Sequence, residues 1–335
     1  MTAAAAAPRA RSAGPRPAPP RPPAARGFAV GIYPGDRGAA LRRIDEVAAL
    51  GSTWVALVVS WQQEDVRSTE IGPSPSVTAP DAEIRAALRR ARERGLRALL
   101  FPILTLRQTR MGEWRGALRP RDADRWWLAY ERFILHHARL ARDEAAAALL
   151  VGSELGFSEG WRDRWYHLLS RVEAVYGGEL VYSANWDHYR QVSFRARLDH
   201  LGVSAYFELS DSAEASEAEL TAAWRRTAAE LVAYARAERV SLWLTEVGYA
   251  SRDGAATRPW DYAAAGAVDL EEQRRCFAAL IAAWDGQPGL GGLFVWNWWA
   301  DGGPRDRDYT PRGKPAEALL RAWFGATSRT TSGSR

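Results

Sequence analysis

The chain predicts a single (β/α)8 barrel, the TIM-barrel class, and three observations carry that prediction. Eight short apolar runs occur in order, each followed by a helical or partly helical stretch. The runs are near-continuous rather than alternating, which means burial on both faces and so a parallel sheet covered by helices. A length of 335 residues also suits one such barrel, a unit that often takes 250 or more. The alternative, an open doubly wound sheet, needs a glycine-rich phosphate turn after its first strand. The stretch GIYPGDRG lacks that spacing.

FAVGIY (28–33) opens the series, and a helical stretch follows near 37–50. TWVALVVS (53–60) is the second run. PDAEIRAALRRARERGL (80–96) is punctuated as a helix, with Asp81 expected as N-cap, Ile84 and Leu88 one turn apart and Gly95 as the stop. LRALLFPIL (96–104) follows as the third strand. A helix near 122–142 leads into AAAALLVGSE (145–154), and a helix near 159–176 into ELVYSAN (179–185). LDHLGVSAYF (198–207) comes next, then a long helix opened by the Ser216 and Glu219 capping-box spacing. SLWLTEVGY (241–249), a helix opened by Asp269 and Glu272 in the same spacing, GLGGLFVWNWW (289–299) and a helix near 315–324 complete the set. The barrel domain is thus expected over residues 27–325, between disordered tails at 1–26 and 326–335.

The net charge of +5 does not make this a nucleic-acid-binding surface. Five of the 45 basic residues (Arg9, Arg11, Arg16, Arg21 and Arg26) lie in an acid-free N-terminal segment, leaving 40 to balance 40 acidic residues. Without a basic stripe on the body, counterion release has no source, and no nucleic-acid partner is expected. That segment is broken by prolines and lacks the continuous apolar centre of an export signal, so a cytoplasmic location is the default. No apolar run is long enough to span a bilayer, so no membrane partner is expected. Cys276, alone, excludes an intramolecular disulfide and reads as a core residue. The five histidines show no metal-ligand spacing, no G-x-S-x-G elbow occurs, and neither a metal nor another cofactor is expected.

In a barrel of this kind the active site lies at the carboxyl ends of the strands. Those ends read Tyr33, Trp61, Pro102, Glu154, Asn185 with Trp186, Tyr206, Glu246, and Trp296-Asn297-Trp298. Glu154 ends the fourth strand and Glu246 the seventh, roughly across the barrel from each other. Two carboxylates with aromatic walls suit glycosidic cleavage, in which one protonates the leaving oxygen and the other attacks the anomeric carbon. Sixteen tryptophans, more than packing usually takes, fit a groove on which the apolar faces of sugars stack. Glu159 falls where the next helix is expected to begin and reads as a helix-dipole charge. Glu208 reads as a solvated loop residue, and Arg107, after the third strand, either reaches the cleft or pairs on the surface.

The motifs VGSEL, TEVGY and DYTPRGKPAEALL (308–320) resemble glycoside hydrolase family 113, within the clan A retaining barrels. The resemblance covers about residues 27–325. It implies a retaining hydrolase of β-1,4-mannosidic bonds in mannan or manno-oligosaccharides, with Glu154 as acid/base and Glu246 as nucleophile. It further implies that Tyr206 hydrogen-bonds the nucleophile and that Trp296 floors the cleavage subsite. Most of the clan has Asn where this chain has Ser153, so the contact to the sugar 2-hydroxyl is open. Trp61, Asn185, Trp186, Trp298 and Asn297 are further candidate sugar contacts. The expected partner is an oligo- or polysaccharide, with a monomer as the default state. The other readings are hydrolysis of another β-glycan and a barrel that binds glycans without cleaving them.

Overall fold

The computed structural model describes residues 25–332; the remainder of the expected tails, 1–24 and 333–335, lies outside the described residues. Eight strands, β1 (Ala25–Gly31), β2 (Trp54–Gln63), β3 (Arg97–Leu106), β4 (Ala148–Ser153), β5 (Glu179–Asn185), β6 (His200–Ser204), β7 (Ser241–Val247) and β8 (Leu290–Val295), close into one barrel in chain order. Every neighbouring pair is parallel, including the β1–β8 closure. Seven helices cover it: α1 (Arg37–Ala49), α2 (Asp81–Glu93), α3 (Ala123–Asp143), α4 (Arg162–Glu173), α5 (Glu217–Glu238), α6 (Leu270–Trp284) and α7 (Pro315–Ser332). No described helix is long and apolar enough to cross a membrane.

The two-residue period of a strand divides the core in two. Ala29, Ala56, Val58, Leu99, Phe101, Leu150, Val181, Trp243 and Phe294 fill the barrel. Their neighbours Val30, Val55, Leu57, Val59, Leu100, Leu149, Val151 and Leu244 face the helices. The apolar runs lacked alternation because both sets are apolar.

Several element boundaries differ from expectation. β1 begins at Ala25, so the last two residues of the expected tail are strand; the guanidinium of Arg26 lies over Trp323 and 3.5 Å from Asp285. Pro80, not Asp81, caps α2, because its fixed φ suits the entry, and Asp81 turns to Nε2 of His136. α7 continues to Ser332, past the expected end near 324. The Ser216/Glu219 capping box is present in full on α5.

Candidate active site

Both glutamates reach the barrel mouth through departures from regular strand geometry. On β4 the register to β5 slips between Leu150 and Gly152. Gly152 then faces outward, where a Cβ would stand within 2.9 Å of Tyr130, Trp165 and Tyr182. Ser153 pairs with the inward Ser183, and Glu154 follows with a left-handed φ of 56°. L-residues with a side chain rarely adopt that conformation, and its cost is borne here by a carboxylate at a strand end. Its amide donates to the Ser183 carbonyl at 2.7 Å. On β7, Thr245 is an extra residue between the β6-paired Leu244 and Glu246. Thr245 joins Ser183 and Ser204 in a buried hydroxyl layer, with oxygens 2.5 and 3.0 Å apart, and Glu246 shares the register of inward Ser204. Gly202 makes room, since a Cβ there would meet Thr245 at 2.5 Å. Bulges of this kind re-aim side chains, here by one residue on each strand.

Glu154 and Glu246 are joined by one cation. Nη2 of Arg115 lies 2.5 Å from Oε2 of Glu154 and 3.8 Å from Oε1 of Glu246. Those two oxygens are therefore within about 6.3 Å of each other, the sum of the 2.5 and 3.8 Å legs. The hydroxyl of Tyr206, past the end of β6, donates to the other Glu246 oxygen at 3.1 Å. Both carboxylates are nearly sealed, their side chains only 6% and 3% exposed. Burial first, and then the neighbouring Glu154 carboxylate, push Glu246 up to about 8; Arg115 and the Tyr206 hydroxyl pull it the other way. Of the two carboxylates Arg115 contacts, Glu246 is the farther, at 3.8 Å against 2.5 Å.

Trp296 leaves β8 at the mouth, packed edge-on to Trp299 at 4.7 Å and near Phe101 in the barrel. Its carbonyl explains the glycine of TEVGY: a Cβ on Gly248 would stand 2.1 Å from that oxygen. Trp186, half-buried, packs against the cluster of Tyr206, Ala250 and Tyr309, as does Trp296, and its ring meets Phe207 at 5.8 Å. Asn297 is buried with its Oδ1 unpartnered, as is Oγ of Ser153. Asn185 donates to Asp187 at 2.8 Å and so holds its own loop.

Two candidate contacts stand elsewhere. Trp61 lies within the long β2–β3 ladder rather than at its end, with the helix-facing parity of Val55, Leu57 and Val59. Its ring packs on Phe133 and His136 of α3. Trp298 likewise faces outward, against Phe28, with its indole donating to Glu46. Trp299, its neighbour, takes the mouth position.

Three charged residues also differ from their expected roles. Glu159 does not start a helix, since α4 begins at Arg162. It accepts from the Tyr182 hydroxyl at 2.9 Å, and that oxygen accepts from the amide of Leu155 at 3.0 Å, so Glu159 braces the residue after Glu154. Arg107 is exposed and pairs with Glu64 at 3.6 Å. Arg115, eight residues on, is the arginine that reaches the two carboxylates; no strand end or helix pattern marks it in the sequence. Glu272 turns away from its expected capping partner, and its two oxygens accept from the Gly254 and Ala256 amides. Asp253, Asp269 and Glu272 bring carboxylate oxygens within 4.8 Å, but Asp269 is engaged by the amides of Glu271 and Glu272 at the start of α6, and both Glu272 oxygens by the amides of Gly254 and Ala256.

In the C-terminal motif, Lys314 is fully buried and donates to Ser251, Asp306 and the Asp308 carbonyl, which ties the segment before α7 to the strand-seven loop.

A closed eight-stranded barrel with paired carboxylates on its fourth and seventh strands, a tyrosine on one of them and indoles at the rim, is the arrangement of a glycoside hydrolase. More narrowly, the chain belongs to Glycoside Hydrolase Family 113, whose model matches residues 31–314. Among solved structures it is similar to the GH113 β-mannanase AaManA from Alicyclobacillus acidocaldarius in complex with ManMIm, at 29% identity and a TM-score of 0.80, covering 91% of this chain and 96% of that one. A GH113 β-1,4-mannanase in a complex structure is 24% identical, with a TM-score of 0.79 over 89% and 97% of the two chains. A β-glucuronidase from Ruminococcus gnavus shares the fold at 11% identity, with a TM-score of 0.62 over 91% of this chain and 50% of that one. No curated protein sequence matches the chain.

Proposed function

We propose that the enzyme hydrolyses β-1,4-mannosidic bonds in mannan or manno-oligosaccharides with retention of anomeric configuration. The sugar and linkage rest on the family and on the solved relatives, which are described as β-mannanases. The observation that carries the mechanism is the spacing of the carboxylates. Retaining pairs stand about 5–5.5 Å apart and inverting pairs roughly 6.5–9.5 Å apart. The two oxygens that flank Arg115 lie no more than about 6.3 Å apart, the sum of the 2.5 and 3.8 Å legs, an upper limit that a retaining separation meets.

In the first step Glu246 attacks the anomeric carbon, the glycosidic C–O bond breaks and Glu154 protonates the departing oxygen. In the second, Glu154 takes a proton from water, which attacks the same carbon and releases Glu246 as a carboxylate. Tyr206 holds the attacking carboxylate in place, and Trp296 offers its ring to the apolar face of the sugar. Proton NMR of a mannohexaose digest tests the proposal. The first-formed product should be the β-anomer; an α-anomer would refute retention, and cleavage only of a glucan or amino-sugar polymer would refute the sugar. Binding without release of reducing ends would make this a glycan-binding barrel.

A further inference from the structure

Resting on that reading, the position of Arg115 raises a conflict between the empty site and the reaction. A proton donor must stand within hydrogen-bond reach, about 2.6–3.2 Å, of the glycosidic oxygen it protonates. Nη2 of Arg115 occupies that space, 2.5 Å from Oε2 of Glu154 and on the side facing Glu246. Nη2 of Arg115 reaches both carboxylates, so it competes with the anomeric carbon and the glycosidic oxygen for the space between them.

We propose that Arg115 is a positioning residue that the substrate displaces, a stand-in cation that keeps the two carboxylates together in the empty enzyme and withdraws as the glycan enters. Its surroundings fit a side chain that leaves. Among the described contacts its guanidinium has only the two carboxylates as partners, and its Nε is buried without any. It sits on a single 3-10 turn, Arg115–Ala117, in the connection between β3 and α3. Gly112, at φ 77°, precedes that turn, and Trp114 lies against Gly116, where a Cβ would stand 2.3 Å from the ring. The same connection exposes Trp114 and Met111.

Withdrawal also moves the proton to where the reaction needs it. In the empty site the charged and titratable groups around Glu246 are Glu154 from β4, Arg115 from the β3 connection, Tyr206 beyond β6 and Tyr309 before α7. With Arg115 on Glu154, burial and the neighbouring Glu154 carboxylate hold Glu246 up at about 8. When Arg115 leaves, Glu154 loses its counter-ion, accepts that proton and becomes the acid, while Glu246 becomes the attacking carboxylate. The pair keeps one proton and one negative charge throughout, and Arg115 returns with product release.

Steady-state kinetics on mannohexaose across pH, for the wild type, Arg115→Met and Arg115→Lys, test this. If the closed arrangement holds about nine-tenths of the free enzyme, Arg115→Met should lower KM about tenfold. The kcat/KM profile, which reports the free enzyme, should shift to higher pH on both limbs when the cation is lost. The kcat profile, which reports the complex, should keep its position. A joint shift of both profiles, or a hundredfold fall in kcat at unchanged KM, would show that Arg115 stays in place during turnover and overturn the proposal. Should the Met variant fail to fold by circular dichroism, Arg115→Lys decides: its weaker, single-point contact should still lower KM, and an unchanged KM refutes displacement. A wild type inactive on every β-glycan would instead remove the functional reading, and this inference with it.

Discussion

Replacing Glu246 with Gln should make the protein more stable, by an amount that grows with pH. In the folded state burial and Glu154 hold this carboxyl at about 8, against an ordinary value of 4.5. Between those two pH values the folded protein keeps a proton that the unfolded chain releases, so stability falls as pH rises. Each pH unit in that window costs about 1.4 kcal/mol. At pH 7, some 2.5 units above 4.5, the accumulated cost is roughly 3 kcal/mol. Gln has nearly the same shape, still accepts from the Tyr206 hydroxyl and does not titrate. The variant should match the wild type near pH 4.5, gain steadily to roughly 3 kcal/mol at pH 7, and level off above pH 8. Urea denaturation of both proteins at pH 5, 6, 7 and 8 reads this directly, with a melting-temperature gap of a few degrees at pH 7 as the companion measurement. A gap that stays constant across pH, or a Gln variant that is less stable at pH 7, would refute the assignment of the proton to Glu246.

Four further outcomes are expected. Glu154→Gln should slow mannan hydrolysis by about 10²–10⁴-fold yet spare the first step for aryl β-mannosides with good leaving groups, as a burst of released phenol would show; equal losses on both substrates would count against its role. Tyr206→Phe removes the 3.1 Å donor from Glu246, so kcat should drop on the order of tenfold or more, with the basic limb of kcat/KM moved upward. Gly248→Ala places a methyl 2.1 Å from the Trp296 carbonyl and should cost about 1–3 kcal/mol in denaturation together with a raised KM. Trp61→Ala should cost about 3–5 kcal/mol through lost packing on α3 while leaving KM on mannohexaose unchanged; a raised KM would return Trp61 to the cleft.

The barrel was legible because each strand and helix is announced locally. Continuous apolar runs report burial on both faces, capping residues report helix starts, and the order of eight such units leaves few topologies. The two glutamates were legible for the same reason, since a carboxylate that interrupts an apolar run at a strand end is a local signal. Side-chain direction at those ends was not, because it depends on parity and on bulges, and a bulge is a mismatch between two strands far apart in sequence. Trp61 and Trp298 looked equivalent to Trp296 in the chain; register against β3 and packing on α1 turned them outward.

By itself, then, the sequence determined the architecture and the two strand ends whose carboxylates the fold brings together, all of which follow from short-range patterns of burial and charge. Only the tertiary structure decided that Glu154 stands in a left-handed conformation, that Glu159 braces it through Tyr182, and that Arg115 comes in from a loop without regular pattern to bridge the pair. The location of the proton belongs to this second group. It depends first on how deeply Glu246 is buried and then on its distances to Glu154 and Arg115, all of which are set across the fold.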